Sequence, residues 1–266
     1  MRVEIQFEEQ APGEWMAEAP ELPGLFVSAG YNSVGIASAG GAGKYLAEWM
    51  IEGQPTMDLW SVDIRRFSGW ANNRAFLRER VTEILGLHYQ PAWPNREPET
   101  ARDMRRGPLH ETLAKQGACF GVKAGWERPN WFARNGASPA VEYSFTRQNW
   151  HDASAAEHRA AREAVALFDQ TAFAKFILRG ENALDLLQRL CGNNVDVPSG
   201  KVVYTGLFNA RGGFESDLTV GRLGHSEFYV ITGSSQAGRD ANWILRNRKQ
   251  NERAELFDVT TAWGVI

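Results

Sequence analysis

The sequence predicts an α+β protein, and the pattern of its second half carries this prediction. Segments with apolar residues at helical spacing alternate there with short runs rich in β-branched and aromatic residues. The turn Arg211-Gly212-Gly213 separates two of these runs, which is typical of an antiparallel hairpin. Helices that alternate with antiparallel hairpins indicate α+β architecture.

The elements are predicted in the following order along the chain. Strands are predicted at 3–7, 25–27, 118–123, 173–179, 202–208, 217–222 and 227–232. Helices are predicted up to about Ile51 and at 68–86, 155–168, 182–190 and 234–248. We expect Gly86 to end the second helix and Asn182 to cap the fourth. Prolines at 91, 94 and 98 indicate an extended connector.

The composition excludes several functional classes. The chain has 266 residues, of which 43% are hydrophobic, so it can build a sizeable core. Its net charge is −3 and no basic patch is interleaved with aromatic residues, so we expect no nucleic-acid partner. Cys119, Cys191 and the five histidines show no metal-ligand spacing, so no metal site is expected. No apolar run has the length of a membrane-spanning helix, and no membrane partner is expected.

A glycine-rich segment follows the predicted strand at 25–27. Gly40, Gly41 and Gly43 are predicted to form a turn that leads into a helix. Because glycine has no Cβ, such a turn lets the backbone approach a ligand closely, and the helix N-terminus offers free N–H groups to it. Packing of a strand, a turn and a helix explains the glycines equally well. No Gly-x-Gly-x-x-Gly follows an early strand, so the sequence lacks the pyrophosphate fingerprint of a self-sufficient dinucleotide-binding domain.

The residues on either side of this segment favour the ligand interpretation. Glu18-Ala19-Pro20-Glu21-Leu22 precedes it, and Leu46-Ala47-Glu48-Trp49-Met50 through Asp63-Ile64-Arg65-Arg66-Phe67 follows it. With these neighbours the run resembles the end of the FAD-binding domain in sarcosine and dimethylglycine dehydrogenases, which are D-amino-acid-oxidase-like flavoproteins. The resemblance implies six FAD-binding residues, the first four passing the isoalloxazine ring and the last two at the approach of the helix: Asn32, Ser33, Gly35, Ile36, Gly40 and Gly41.

Four motifs stand in a fixed order in the second half. They are Gly125-Trp126-Glu127-Arg128-Pro129, Leu167-Phe168-Asp169, Leu190-Cys191-Gly192-Asn193-Asn194-Val195, and Gly200-Lys201-Val202-Val203-Tyr204-Thr205 continued by Gly212-Gly213-Phe214-Glu215-Ser216-Asp217-Leu218. Together they resemble the aminomethyltransferase domain of the glycine-cleavage T-protein, over roughly 111–266. The run at 169–173 departs from the Ser-His-Met pattern of T-proteins, which favours the branch fused to a dehydrogenase.

The same resemblance implies a folate site. Asp217 matches the acid that faces the pterin and amine nitrogens of tetrahydrofolate, and it is the predicted catalytic residue. A carboxylate suits this role because methylene transfer passes through cationic iminium species, and because it can take a proton from the attacking nitrogen. Tyr204 matches a tyrosine that lines the site, and Thr232 stands where many T-proteins carry asparagine. The structural alternatives are an aspartate that only ends a hairpin turn and a half-buried strand tyrosine.

These resemblances divide the chain into three predicted parts. They are a C-terminal piece of an FAD-binding α/β domain at 1–56, a small linker domain at 57–110, and the N-terminal part of a T-protein-like folate-binding domain at 111–266. The chain is thus expected to be a fragment of a longer enzyme, and by itself to oxidise nothing. The implied cofactors are FAD and tetrahydrofolate, and the implied substrate is a small N-methylated amine such as sarcosine or dimethylglycine, with an unidentified electron acceptor.

Two other functions remain open from the sequence. One is a non-catalytic regulatory relative, similar to the regulatory subunit of pyruvate dehydrogenase phosphatase, and the other is a dedicated aminomethyltransferase. Asp217 argues against the first, since a scaffold has no need of that acid, and the flavin-like stretch argues against the second. The expected location is the cytoplasm for a bacterial source and the mitochondrial matrix for a eukaryotic one.

Overall fold

A computed structural model of the protein describes residues 6–11, 14–18, 28–31, 33–53 and 55–266, with the backbone alone for 6–11 and 14–18. The chain divides into two compact units, Met1–Gln90 and Pro91–Ile266. The predicted strand at 25–27 and residue Asn32 lie outside the described residues, as does most of the predicted strand at 3–7. The predicted three-part division of the chain stays a prediction.

The first unit contains a hairpin and two long helices. Its strands β1 and β2 pair antiparallel and span Gln6–Ala11 and Glu14–Glu18. Helix α1 spans Gly35–Glu52, three 3₁₀ turns span Trp60–Val62, Ile64–Arg66 and Gly69–Ala71, and helix α2 spans Arg74–Leu87. The backbone N–H of Phe76 donates to the Asn73 side chain at 2.8 Å, so Asn73 caps α2.

Two glycine predictions in this unit are wrong. Gly40, Gly41 and Gly43 lie inside α1 and form no turn, because the alanine-rich sequence around them sustains the helix although each glycine disfavours it by about 1 kcal/mol. Gly86 lies inside α2, which continues to Leu87. Gly53 ends α1 instead, with a φ of 72° that glycine adopts without strain.

The second unit begins with a three-stranded sheet. Strands β3, β4 and β5 span Arg105–Arg106, Ala118–Lys123 and Trp126–Phe132, and β5 pairs parallel with β3 and antiparallel with β4. Helix α3 spans His110–Lys115 and precedes β4, and helix α4 spans His151–Glu163. The residues before β3 are bonded to the β4–β5 hairpin, because Arg102 donates to Glu127 and the N–H of Val122 donates to Glu97.

The main sheet has five strands and two helices on one face. Strands β6 to β10 span Ala174–Arg179, Val202–Phe208, Phe214–Arg222, Glu227–Thr232 and Glu255–Asp258. They pair antiparallel in the order β10-β6-β9-β8-β7. Helices α5, Ala183–Leu190, and α6, Ala237–Arg246, bury their apolar side chains against this sheet. The predicted α+β class is confirmed.

Three helix predictions in this unit need correction. The helix predicted at 155–168 lies at His151–Glu163, because its C-terminal residues Val165 and Leu167 find no apolar partner and stay exposed. The helix predicted at 234–248 is a 3₁₀ turn, Ser234–Gln236, followed by α6. Asn182 precedes α5 without a side-chain capping bond, since its amide oxygen accepts the backbone N–H of Arg253 at 3.0 Å.

Candidate functional site

Strands β7 and β8 present Tyr204 and Asp217 on the face of the main sheet that the helices leave uncovered. Thr205 and Leu218 point to the helices and are buried, whereas Tyr204 and Asp217 alternate with buried neighbours and are exposed. Tyr204 pairs with Thr219 and Gly206 pairs with Asp217, so Tyr204 and Asp217 are diagonal neighbours across the two strands. The sheet thus brings together the two predicted folate residues that are 13 positions apart.

The two side chains are joined by one hydrogen bond. The phenol of Tyr204 donates to Oδ2 of Asp217 at 2.6 Å. This bond, together with the charge of the carboxylate, raises the pKa of the Tyr204 phenol, because both favour its protonated form. The phenol therefore stays protonated, and its hydrogen bond holds the Asp217 carboxylate in place on an exposed face of the sheet. Such an arrangement can accept N–H donors of a ligand and can stabilise positive charge.

Two phenylalanines line the same face beside Asp217. The rings of Phe208 and Phe214 lie 5.9 Å apart in a T-shaped contact. A Cβ on Gly206 would lie 2.9 Å from the Phe208 ring and 3.3 Å from the Phe214 ring, and a Cβ on Gly192 would lie 2.5 Å from Phe208. The two glycines therefore let the Phe208 ring lie flat against the backbone next to the acid. Sequence reasoning missed this aromatic pair, although its place at either end of the predicted hairpin turn was a usable signal.

Thr232 lies on the opposite face of the sheet from Tyr204 and Asp217. Its side chain is 2% exposed, and its hydroxyl donates to Oδ2 of Asp240 at 2.5 Å. The hydroxyl of Ser216 donates to the same oxygen at 2.9 Å. Burial raises the pKa of Asp240 to about 6, and the two hydroxyl bonds act in the opposite direction. A folate contact by Thr232 stays a prediction. Asp240 was not found from the sequence.

The described residues of the predicted flavin segment lie at the start of α1. Ser33 has a φ of 63°, and its hydroxyl lies 2.7 Å from that of Tyr89. Ile36 is almost fully exposed, and among the described residues no heavy atom lies within 4 Å of a Cβ built on Gly40 or Gly41, apart from the chain neighbours and the helix's own backbone. Val34, which precedes the first residue Gly35, makes no side-chain capping bond to the first N–H groups of α1, because its aliphatic side chain has no acceptor. These residues fit an electron-rich partner, and their FAD contacts stay a prediction.

In the described part of the chain, no group of three histidine, cysteine, aspartate or glutamate side chains is arranged to hold a metal ion. In the same residues, no helix is long and apolar enough to cross a membrane.

The protein consists of a largely helical unit and an α+β unit, and the second unit carries Asp217 on the open face of its main sheet. Two family models match successive parts of the chain. The model of the FAD dependent oxidoreductase central domain matches residues 52–107, and that of the GCVT N-terminal domain matches residues 109–266, more than half of the chain. The chain belongs to the GCVT N-terminal domain family and is similar to the sarcosine and dimethylglycine dehydrogenases.

Three curated relatives illustrate this family. The chain is 47% identical over 251 residues to 4-methylaminobutanoate oxidase (formaldehyde-forming) of Paenarthrobacter nicotinovorans, covering 94% of this chain and 30% of the relative. It is 38% identical to the mitochondrial pyruvate dehydrogenase phosphatase regulatory subunit of Mus musculus, covering 94% and 29%. It is 40% identical to mitochondrial sarcosine dehydrogenase of Homo sapiens, covering 94% and 32%. The chain spans about a third of the length of these relatives.

Proposed function

We propose that this chain is part of an FAD- and tetrahydrofolate-dependent enzyme that removes a methyl group oxidatively from a small N-methylated amino acid. Two relatives that cover 94% of the chain are named as an oxidase of 4-methylaminobutanoate and a dehydrogenase of sarcosine. The substrate shared by these names is an amino acid with a methylated nitrogen, and sarcosine and dimethylglycine are the candidates that the sequence favours. The one-carbon unit passes to tetrahydrofolate.

The exposed hydrogen-bonded pair of Tyr204 and Asp217 carries this proposal. A carboxylate on an open sheet face accepts the N–H donors of a pterin ring and stabilises positive charge on the nitrogen that forms the new bond. Asp217 can also take the proton that this nitrogen loses. Tyr204 fixes the rotamer of Asp217, and the Phe208 and Phe214 rings offer an apolar surface for a flat heterocycle. The predicted pterin contact of Thr232 is proposed to run through the backbone, since its side chain is buried.

The flavin-side proposal concerns the start of α1. Bound FAD supplies the electron acceptance that the oxidation needs. The residues Ser33, Gly35, Ile36, Gly40 and Gly41 are proposed to lie against the flavin, with Asn32 beside them. Free N–H groups in the first turn of α1 and the positive end of its dipole favour negative charge on the ring. The location is proposed to be the mitochondrial matrix for a eukaryotic source and the cytoplasm for a bacterial one.

A non-catalytic role is the second candidate, because the phosphatase regulatory subunit is almost as similar to this chain as sarcosine dehydrogenase is. A scaffold would act by binding a protein and would not depend on the carboxylate of Asp217. A dedicated aminomethyltransferase would bind folate as the first candidate does, but would not use the residues of α1.

Folate titration of the 266-residue chain tests the proposal. Calorimetry with 5-formyltetrahydrofolate should show binding to the wild type and an affinity about tenfold lower for Asp217→Asn. The matched control is Asp185→Asn, which removes an exposed charge from α5 on the other side of the sheet and should leave the affinity unchanged. A wild-type chain that binds no folate, or an Asp217→Asn variant that binds as tightly, would favour the scaffold.

A further inference from the structure

The carboxyl group of Asp240 lies beneath the sheet, behind the site. Asp240 is 1% exposed, and its Oδ2 accepts the hydroxyls of Ser216 and Thr232. Its Oδ1 is buried and has no hydrogen-bond partner among the described residues. Burial of a carboxyl group with a free oxygen is unfavourable by about 1–3 kcal/mol or more, so packing alone would favour an apolar residue here. The cost suggests a role that an apolar residue could not fill.

The two donors of Asp240 flank Asp217 on the strands. Ser216 precedes Asp217 in β8, and Thr232 in β9 pairs with Leu218, the residue after Asp217. The Thr232 hydroxyl also lies 3.4 Å from the backbone oxygen of Asp217. One carboxyl oxygen of Asp240 therefore bonds to side chains of both β8 and β9. These bonds lie next to Asp217, whose own side chain is on the opposite face of the sheet.

We propose that Asp240 is a positioning residue for Asp217: it fixes β8 and β9 through Ser216 and Thr232, so that the Asp217 carboxylate keeps its place beside Tyr204. The consequence for folate binding rests on the proposed function, whereas the coupling between the two acids does not. Asp240 has no hydrogen bond to Tyr204 or to the Asp217 side chain among the described residues, and its bonds to the strands are those to Ser216 and Thr232.

Among the described residues, few charged groups affect the ionisation of Asp240. The charge of Asp217, on the other face of β8, acts on Asp240 through the sheet, and Arg239 lies next to Asp240 on α6. Arg239 also pairs with Glu215, with its Nη2 at 3.1 Å from a Glu215 oxygen. The neighbouring parts of β7, β9 and α5 contribute apolar side chains and threonines. A change in the ionisation of Asp240 is thus expected to be felt at Asp217.

The coupling is tested in the full 266-residue chain by ¹³C NMR of the Asp217 carboxyl group during a pH titration. The wild-type signal should show a step with a midpoint of about 6, where Asp240 ionises. The step should vanish in Asp240→Asn, whose amide oxygen can still accept both hydroxyls, and persist in the control Asp185→Asn. An Asp217 signal without this step in the wild type overturns the proposal.

Folate affinity gives the second readout. Asp240→Ala should bind 5-formyltetrahydrofolate about tenfold more weakly, and Asp240→Asn should restore wild-type affinity. If Asp240→Ala does not fold, the double variant Ser216→Ala with Thr232→Val removes the same two bonds and should show the same loss. An alanine variant, or that double variant, that binds as tightly as the wild type overturns the proposal. A wild-type chain that binds no folate refutes the proposed function, and the carboxyl titration then decides the positioning role alone.

Discussion

Tyr204 reaches diagonally across the β7–β8 pair and donates to Asp217 at 2.6 Å, on a face where both side chains are exposed. Because water can replace the phenol, Tyr204→Phe leaves the carboxylate solvated and not orphaned. What the carboxylate loses is a fixed orientation. The variant is therefore expected to weaken folate binding and to leave the stability of the protein unchanged.

The Tyr204→Phe variant should lower the affinity for 5-formyltetrahydrofolate about fivefold, which is less than the loss in Asp217→Asn. The urea midpoint of unfolding should equal that of the wild type. Tyr229→Phe is a suitable control, because Tyr229 lies farther along the same face with no such acid beside it. A Tyr204→Phe variant that unfolds much earlier than the wild type would show that the pair serves stability instead.

The partly exposed Arg102 forms an ion pair with the buried Glu127 and links the residues before β3 to strand β5. The Glu127 side chain is 2% exposed and accepts Arg102 Nε at 2.9 Å and the backbone N–H of Asp103 at 2.8 Å. The hydrogen bond to Glu127 raises the pKa of Arg102. Arg102→Met should destabilise the second unit by about 3 kcal/mol, because it leaves a buried carboxylate without its cation.

Urea unfolding monitored by tryptophan fluorescence measures this loss. Arg106→Met is the matched control, since Arg106 pairs with Asp103 and Glu111 at the surface and its removal should leave the midpoint within error of the wild type. Equal midpoints for the two variants would mean that the Arg102–Glu127 pair contributes no more than a surface contact.

Asp240 should make the stability of the protein fall as the pH rises through about 6. Its pKa is raised from 3.8 to about 6 by burial, so between these values the folded state binds more protons than the unfolded state. The stability is then complete below the unfolded pKa and is lost as the pH rises through the folded pKa. The full loss is about 3 kcal/mol on the scale of a shift of this size.

Comparison of the wild type with Asp240→Asn isolates this effect from other acids. The unfolding free energy of the variant relative to the wild type should increase by up to about 3 kcal/mol from pH 4 to pH 7, because asparagine stays neutral while Asp240 ionises. A difference that is constant over this range would contradict the raised pKa.

Four of the five strands of the main sheet were predicted from the sequence, whereas β10 was not. The hairpin turn at 211–213 was predicted as well, but the register of β7 and β8 also depends on a bulge between Leu207 and Phe208, and this register places Tyr204 and Asp217 on one face. The residues beneath the sheet were not accessible in this way. Asp240 lies on a helix, 24 residues after Ser216, and nothing in its local pattern distinguishes it from a solvent-facing helix aspartate.

The glycines of α1 illustrate the opposite error. Glycine signals a turn when it stands between polar residues, but Gly40, Gly41 and Gly43 stand among alanines and other helix formers. The summed propensity of the neighbours therefore outweighs three unfavourable residues. The true turn glycine is Gly53, which follows the last apolar residues of the helix, the place where a left-handed residue is most often found.

Gly180 follows β6 in a conformation that only glycine can hold at this position. Its φ is +144°, and a Cβ built on it would lie 2.1 Å from the backbone oxygen of Arg253. Because a backbone atom cannot move aside as a side chain can, Gly180→Ala should separate β6 from the start of β10 and destabilise the unit by more than about 3 kcal/mol.

Gly200 is the control position. Its φ is +85°, and nothing among the described residues lies within 4 Å of its Cβ position, so Gly200→Ala should cost only the backbone strain of about 1 kcal/mol. Thermal unfolding of the two variants side by side separates steric clash from strain, and equal shifts in Tm would show that the Arg253 contact yields without cost.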